Sequence, residues 1–556
     1  MPNGEKILLS LTATRPLTRS PIHRDYTTTP FFIAPDFVLE VTVEVRKRIR
    51  RGTLRAVVGA LSFGVSFGAP GGGRGRPPQE AVAQPESAAA ETLSPGARRA
   101  YAELLKLKVT ACRQLLAPEP ANAPGTLLVA DCADFAELLI SQDARRYAAT
   151  VAAQDTRLAT LERGPAGPLR DYALVEIRLH QALAQLVFHH EVRGAWNLRQ
   201  AALLTQAAAR RYPAFLPVSK TLGLCQFGIG SLPEGYHWFL RLLGLSGSVE
   251  AGLQNLSRAA AQPHDFQTES QILLALIREA YYKKADESLA LTSRLASEQP
   301  DNLLFSYLVI SLNKRQHHGE EALAAYHARP TGPAYLPLAY LHHLVADLLL
   351  YRGDYAGSTA ENEQFLRDYR GEYYRKDAAF KLYLAAWLGG APAATAERYR
   401  QQINLTGPLT LEEDAYAQRF YHDAQLLNPI LTRARLLTDG GYYGQALGVL
   451  QQFRLGAATP ARDRLEAPYR RARVWQGLGR LDSARADYQR TLRRSAALGE
   501  PAYYFAPQAA LQLGYLALAA GQRAAARQYF EQALAYPRHE YKNSTDQKAK
   551  LALRGL

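Results

Sequence analysis

From position 95 onward the apolar residues of this chain fall at helical spacing. Leu93-Ser94-Pro95 reads as a helix start, with a serine cap and proline at the first helical position. Tyr101, Leu104, Leu105, Leu107, Val109, Cys112, Leu115 and Leu116 then continue an apolar stripe along one face. The same period predicts helices over about 124–141, 143–161 and 168–210, set off by Gly164-Pro165 and Gly167-Pro168. After Phe266, runs of about 12 to 18 residues alternate with turns such as Gln299-Pro300-Asp301-Asn302 and Pro330-Thr331-Gly332-Pro333. No alternating run of five or more residues after 95 reads as a strand, so the pattern predicts an all-α body.

A Gly-x-aromatic/Leu-x-x-Ala turn recurs in the second half. Gly441-Tyr442-Tyr443 with Ala446 and Gly479-Arg480-Leu481 with Ala484 fit fully. Gly521-Gln522-Arg523 with Ala526 departs at its third slot, Gly353-Asp354-Tyr355 with Ser358 at its last, and Gly389-Gly390-Ala391 with Ala394 is weaker. The glycines stand 36, 52, 38 and 42 residues apart, the spacing of helical-hairpin repeats of the tetratricopeptide type with lengthened helices or loops. Gly353, Gly441, Gly479 and Gly521 suit a left-handed helix end, and Ala446, Ala484 and Ala526 let the second helix approach the first. The expected fold is a right-handed superhelix of helical hairpins with a less regular N-terminal helical half.

Between the halves, residues 220–253 are apolar, dense in glycine and broken near Ser231 to Gly235. Gly228 to Pro233, Leu240 to Gly247 and Gly252-Leu253 resemble a segment of the tetratricopeptide family that contains the fungal inclusion-body clearance protein and its animal relatives associated with lipid metabolism. Leu245 stands where that family often has Phe, and Ser248 where it often has an acidic residue. The resemblance takes in Ala195-Trp196-Asn197-Leu198-Arg199 and runs from about 95 to 556. It implies a helical-repeat fold and leaves the function open, because members of that family differ in cellular role. The segment itself reads either as a buried hairpin closely packed through its glycines, or as a surface touching membrane or ligand with Tyr236, His237 and Trp238 at the interface.

The N-terminal stretch has another character. Arg46 to Arg55 is basic, Ala56 to Ala69 is apolar, and Ser66-Phe67-Gly68 ends the run in small-x-small fashion, the parts of a secretory signal peptide. The resulting organisation is a doubtful, disordered extension over 1–44, a signal peptide over 45–69, a flexible linker over 70–94, an N-terminal helical domain over 95–262 containing the apolar hairpin, and a repeat array over 263–556. An initiation near Val43 or Val45 would reconcile the signal with its position. Export, to the periplasm, is then expected; a basic linker and short buried helix would instead leave the chain cytoplasmic.

Composition changes this picture little. The formal charge is +15, of which residues 1–78 carry +7, and with the rest spread over the remaining chain no basic stripe and no nucleic-acid partner is expected. Cys112, Cys132 and Cys225 lack zinc spacing; Cys112 and Cys132 either pair or remain buried thiols. Gly64-Val65-Ser66-Phe67-Gly68 matches a nucleophile elbow without its strand-to-helix setting. Glu234 and His237 form half of a metal motif, and the doublets His189-His190, His317-His318 and His342-His343 hold adjacent positions that cannot clasp one ion from a helix. Tyr373, Tyr374, Arg375, Tyr399 and Arg400 are types enriched at interfaces and also ordinary surface residues. The expectation is a non-catalytic scaffold with no metal or other cofactor, binding a protein or peptide. The alternative is a membrane- or lipid-associated scaffold. Trp196, Arg199, Tyr236 and Trp238 are the candidate contacts.

Overall fold

The computed structural model describes residues 92–231, 244–282, 284–404, 409, 411–423, 427–499 and 502–556. The signal-peptide and linker expectations, the elbow at Ser66 and the residues Glu234, Tyr236, His237 and Trp238 lie outside these. Among the described residues there are helices and no strand. The first group is α1 Pro95–Leu105, α2 Val109–Leu116, α3 Pro124–Ser141, α4 Ala144–Arg163, α5 Pro168–Val187, α6 Glu191–Arg211, α7 Leu216–Gly230 and α8 Val249–Ala261. There follow α9 Gln267–Tyr282, α10 Ala285–Glu298, α11 Leu303–Arg315, α12 Gly319–Ala328, α13 Ala339–Arg352, α14 Tyr355–Asp368, α15 Arg375–Leu388, α16 Ala393–Gln402 and α17 Glu412–Asp423. The last are α18 Pro429–Asp439, α19 Tyr443–Leu450, α20 Ala461–Gly477, α21 Leu481–Ala497, α22 Phe505–Ala519, α23 Arg523–Ala535 and α24 Lys542–Arg554. Most helices pack on a neighbour one or two places along the sequence, which makes the fold an all-α helical-repeat solenoid.

Local chemistry sets the helix starts. Ser94 accepts from the Ala97 amide at 3.1 Å with Pro95 in the first turn, as its spacing predicts. Asn302 and Asp354 do the same for α11 and α14. Two runs predicted as single helices are each divided. Leu107 (φ 65°) separates α1 from α2, and His189 (φ 65°) separates α5 from α6.

Those breaks are the repeat turn in another form. At Gly353, Gly441, Gly479 and Gly521 the backbone is left-handed, the next helix begins two residues later, and Ser358, Ala446, Ala484 and Ala526 lie fully buried five residues on. The same offsets hold for Leu107 with Cys112, His189 with Gly194, and His317 (φ 61°) with Ala322. The device therefore runs through the N-terminal half as well, where residues other than glycine occupy its left-handed slot. The fifth copy is out of register. Gly390 (φ 75°), not Gly389, turns the chain, and Ala396, not Ala394, is buried, because Pro392 adds a residue before α16.

The described chain forms two compact units, one of residues 427–435 and 443–556, the other of the residues up to 423 with 436–442. In the larger unit, distant turns touch. The Leu336 amide donates to Leu107 at 2.8 Å, Tyr369 Oη to Gln142 Oε1 at 2.7 Å, and Tyr373 Oη to the Val187 carbonyl at 2.9 Å. The Gly319 amide likewise donates to Gly440 at 3.1 Å. Its largest core joins Leu107 and Ile140 to residues such as Ile272, Leu304, Leu344 and Phe365. In the smaller unit, Leu465, Tyr469, Tyr488, Phe505 and Leu513 form one cluster and Leu511, Ala526 and Phe530 another.

The turn geometry separates two glycine substitutions. A Cβ on Gly479 meets nothing within 4 Å, so Gly479→Ala should cost only the left-handed strain, about 1–2 kcal/mol. A Cβ on Gly441 would land on the His317 carbonyl oxygen, so Gly441→Ala should cost roughly 3 kcal/mol or more. Denaturant midpoints check the order; equal losses would contradict the packing of the 439–442 turn on the 317–320 turn.

Candidate functional site

Of the sequence-predicted contacts, Trp196 and Arg199 are among the described residues, and both lie on α6. One side of this helix is locked down. Gly194 lies so close to α5 that a Cβ would sit 2.7 Å from Leu186 Cγ, and Ala201, Ala202, Thr205 and Ala208 are buried. Asn197 Nδ2 donates to Gln181 Oε1 at 2.9 Å and Gln185 Oε1 at 3.0 Å. The opposite side carries Val192, Trp196 and Arg199, spaced by four and three residues and so aligned on one stripe. Val192 is 49% and Trp196 40% exposed, and the Arg199 guanidinium lies over the Trp196 ring at 5.6 Å. A rigid helix thus presents a large aromatic surface and a cation to solvent.

The apolar segment holds an unexpected charge. Lys220, on α7, is almost wholly buried, with Nζ 2.9 Å from Glu176 Oε2 and 3.0 Å from Glu269 Oε1. Tyr101 Oη donates to Glu269 at 2.8 Å, and Thr221 donates to Glu176. Burial works against the ammonium, yet the two carboxylates hold Lys220 well above the ordinary lysine value. Gly223 and Gly252 let α7 and α8 meet backbone to backbone, a Cβ on Gly223 falling 2.8 Å from the Gly252 carbonyl. Close packing through glycines therefore holds for the two helices that bracket residues 232–243.

A second buried network joins four helices. Asp347 of α13 receives Lys314 of α11 and Lys381 of α15, each at 2.5 Å, and Lys381 also pairs with Asp377 at 2.7 Å. His343 contacts Asp377 through Nε2 at 3.1 Å and Asn362 Oδ1 through Nδ1 at 2.8 Å. The Asn362 amide nitrogen lacks a partner, so turning that amide over would let it donate to Nδ1 while Nε2 faces Asp377. At the start of α15, Asp414 accepts from the amides of Tyr374 at 2.7 Å and Asp377 at 3.0 Å. Burial outweighs these bonds and pushes its carboxyl up to about 7.

Both networks lie largely within the core, with Glu269 and Lys381 at their partly exposed edges, and both act as internal fasteners. Among the described residues no group of three or more His, Cys, Asp or Glu is placed to hold a metal ion. His189 and His317 occupy left-handed turn positions, which corrects their reading as neighbours within a helix. Only His342 and His343 share a helix, and they engage Glu361 and Asn362. Tyr374 and Tyr399 are buried, Tyr399 donating to Glu363 at 2.8 Å, so they serve packing rather than a surface. Cys112, Cys132 and Cys225 are free thiols, Cys112 and Cys225 pushed up to about 12 by burial. Among the described residues no helix is long and apolar enough to cross a membrane.

Charge distribution corrects one expectation. Residues 443–556 hold 18 Lys/Arg against 8 Asp/Glu, a surplus of ten, whereas residues 79–442 are close to balanced. The absence of nucleic acid among the partners therefore does not follow from an even spread of charge. Counting by segment rather than from the N-terminus would have found this.

No protein-family model and no curated protein matches the chain. Among solved structures it is similar to monomeric mutants of IFIT1, one with Gppp-AAAA and one with m7Gppp-AAAA. Each is 16% identical, with 77% of this chain and 75% of that chain covered, at a TM-score of 0.28. At that score the likeness carries no argument about this chain's ligand, and the fold rests on the helices described above.

Asp414 gives a test of the fastener reading. Its folded-state pKa lies above the ordinary carboxylate value near 4, so its contribution to stability is complete below pH 4 and is lost as the pH rises through 7. Wild-type stability relative to Asp414→Asn should fall by roughly 4 kcal/mol across that window, at 1.36 kcal/mol per pKa unit. Chemical denaturation at stepped pH measures the difference; a flat difference would show that Asp414 is ionised throughout.

Proposed function

We propose that this chain is a non-catalytic scaffold that binds a protein or peptide partner on the exposed stripe of α6, with Trp196 as the anchor. The carrying observation is the exposed indole, held under Arg199 on a helix whose other face is fully engaged. Trp and Arg supply a large share of binding energy at protein interfaces, and a pre-ordered helix reduces the entropy lost on docking. Membership of the tetratricopeptide family that includes the fungal inclusion-body clearance protein, suggested by residues 195–199 and 228–253, is part of the same reading. So is export, which mass spectrometry of the native N-terminus tests; a mature chain beginning well before residue 60 would end that part.

The exposed pair Val192 and Trp196 also favours a second reading, in which the stripe rests on a membrane surface. One variant separates the two. Trp196→Ala should leave the melting temperature within a few degrees of wild type, because the residue is 40% exposed and outside the buried core. It should lower capture of the host partner at least tenfold, about 1.4 kcal/mol or more. Undiminished capture would refute the α6 site, and flotation with vesicles that is lost in Trp196→Ala would favour the membrane reading.

A further inference from the structure

The smaller unit contains a cluster of arginines with too few carboxylates. Asp487 of α21 is buried and takes Arg471 of α20 in a two-pronged pair, Nε at 2.6 Å and Nη2 at 2.7 Å, together with Arg490 Nη1 at 2.6 Å. Two more arginines stand beside this trio with no carboxylate partner among the described residues. Arg464 spends its guanidinium on the Thr459 carbonyl at 2.8 Å and the Ala457 carbonyl at 2.5 Å. Arg494 Nη1 donates to the Arg464 carbonyl at 3.1 Å. That carbonyl needs a donor because Pro468 lies inside α20, four residues on, and has no N–H to give. A break in one helix thus draws an arginine from the next into a cluster of four guanidinium groups around one carboxylate.

The surplus of three positive charges is felt within the site. Burial, then Arg490 and Arg471, pull Arg494 below the ordinary arginine value, with Arg464 adding to the repulsion and Asp487 opposing it. Arg490 and Arg494 lie one helical turn apart on α21, and Leu498, a further turn on, is 37% exposed. Leu455, two residues before the carbonyl that Arg464 holds, is 50% exposed.

We infer that this cluster is a docking site for an acidic peptide segment of a partner protein, whose carboxylates meet the arginines and whose apolar side chains meet Leu498 and Leu455. Charge complementarity argues for an anion, since a carboxylate would relieve the repulsion that Asp487 only partly offsets. The apolar rim argues for peptide over nucleic acid. The large exposed hydrophobics described in this unit, at 455, 478, 481, 498 and 518, are all leucine, which suits apolar side chains of a peptide, whereas the aromatic platforms on which successive bases stack are not among them. The inference rests on the scaffold reading above and adds the chemistry of the partner at a second surface.

The test uses the full chain and three labelled probes: a short peptide of Asp, Glu and Leu, its Asn/Gln counterpart, and a short oligouridylate. The acidic peptide should bind at least about tenfold more tightly than its amide counterpart and weaken as salt is raised. Arg490→Ala with Arg494→Ala should remove that preference, with a melting temperature lowered by the loss of the Asp487 and Arg464 carbonyl contacts but a chain still folded at the assay temperature, and Arg490→Lys with Arg494→Lys should restore part of the preference. Equal binding of the two peptides, or a preference unchanged in the alanine variant, overturns the inference, as does tighter binding of oligouridylate through the same arginines. Trp196→Ala should leave peptide binding intact. A chain that still captures its host partner through Trp196 while ignoring the acidic peptide would sink this inference alone.

Discussion

One backbone constraint recurs from end to end of the described chain: a left-handed residue, a helix starting two residues later, and a buried small residue five residues on. The left-handed residue reverses the chain within about three positions, and the small residue lets the new helix lie close against the old one. Neither half works alone. A right-handed residue at the turn would carry the first helix onward, and a large side chain five residues later would hold the pair apart. The burial of Tyr101, Leu344, Tyr488 and Phe530 follows from that approach, since amphipathic helices bury their stripes only when neighbours stack.

Stacking of neighbours does not account for the whole larger unit. Leu107 is bonded to the loop at 336, Gln142 to Tyr369, Val187 to Tyr373, and the 317–320 turn to the 439–442 turn. A solenoid whose repeats touch only their neighbours can fray from its ends. These bonds, made by turns many repeats apart, bind early and late helices into one core and raise the cooperativity of the unit. The buried Lys220 and Lys314 networks act in the same sense. Each removes several charges from water, at a cost that only well-made pairs offset, so their return is in the specificity of helix arrangement rather than in net stability.

Glycine decided how much of this was legible. Where the left-handed slot is Gly353, Gly441, Gly479 or Gly521, both the turn and its buried partner could be read from spacing alone. Where it is Leu107 or His189, the hydrophobic period runs on and the break disappears into one long predicted helix, and at His317 no glycine fills the slot. Histidine tolerates this conformation better than most residues, and in those two doublets a backbone role resembled a pair of metal ligands. The shift from Gly389 to Gly390 shows the opposite failure, in which two adjacent glycines qualify and one inserted proline decides between them. The buried ion pairs were invisible because Lys220, Asp347 and Lys381 meet carboxylates or amines up to 49 residues away in sequence, a distance no local period encodes. At the candidate site, Trp196 was legible as a residue type, but its exposure depends on Gly194 and Asn197 fastening the other face of α6.

The placement of polar groups bears on function. Four strongly perturbed ionisable groups, Lys220, Asp347, Lys381 and Asp414, lie in or against the core and are bonded to protein. Perturbed groups mark a reactive site when a substrate can reach them; here the perturbation is a by-product of burial that holds helices in register. What the surface offers is of another kind. The described surface presents an indole under a guanidinium on α6 and a cluster of arginines about Asp487 between α20 and α21. Both are held by packing on their hidden sides, Gly194 against Leu186 in one case and the carbonyl freed by Pro468 in the other. A helix pressed that firmly from within leaves its outward residues little freedom to lose on docking, so the binding proposed at both surfaces would draw on the rigidity of the repeat.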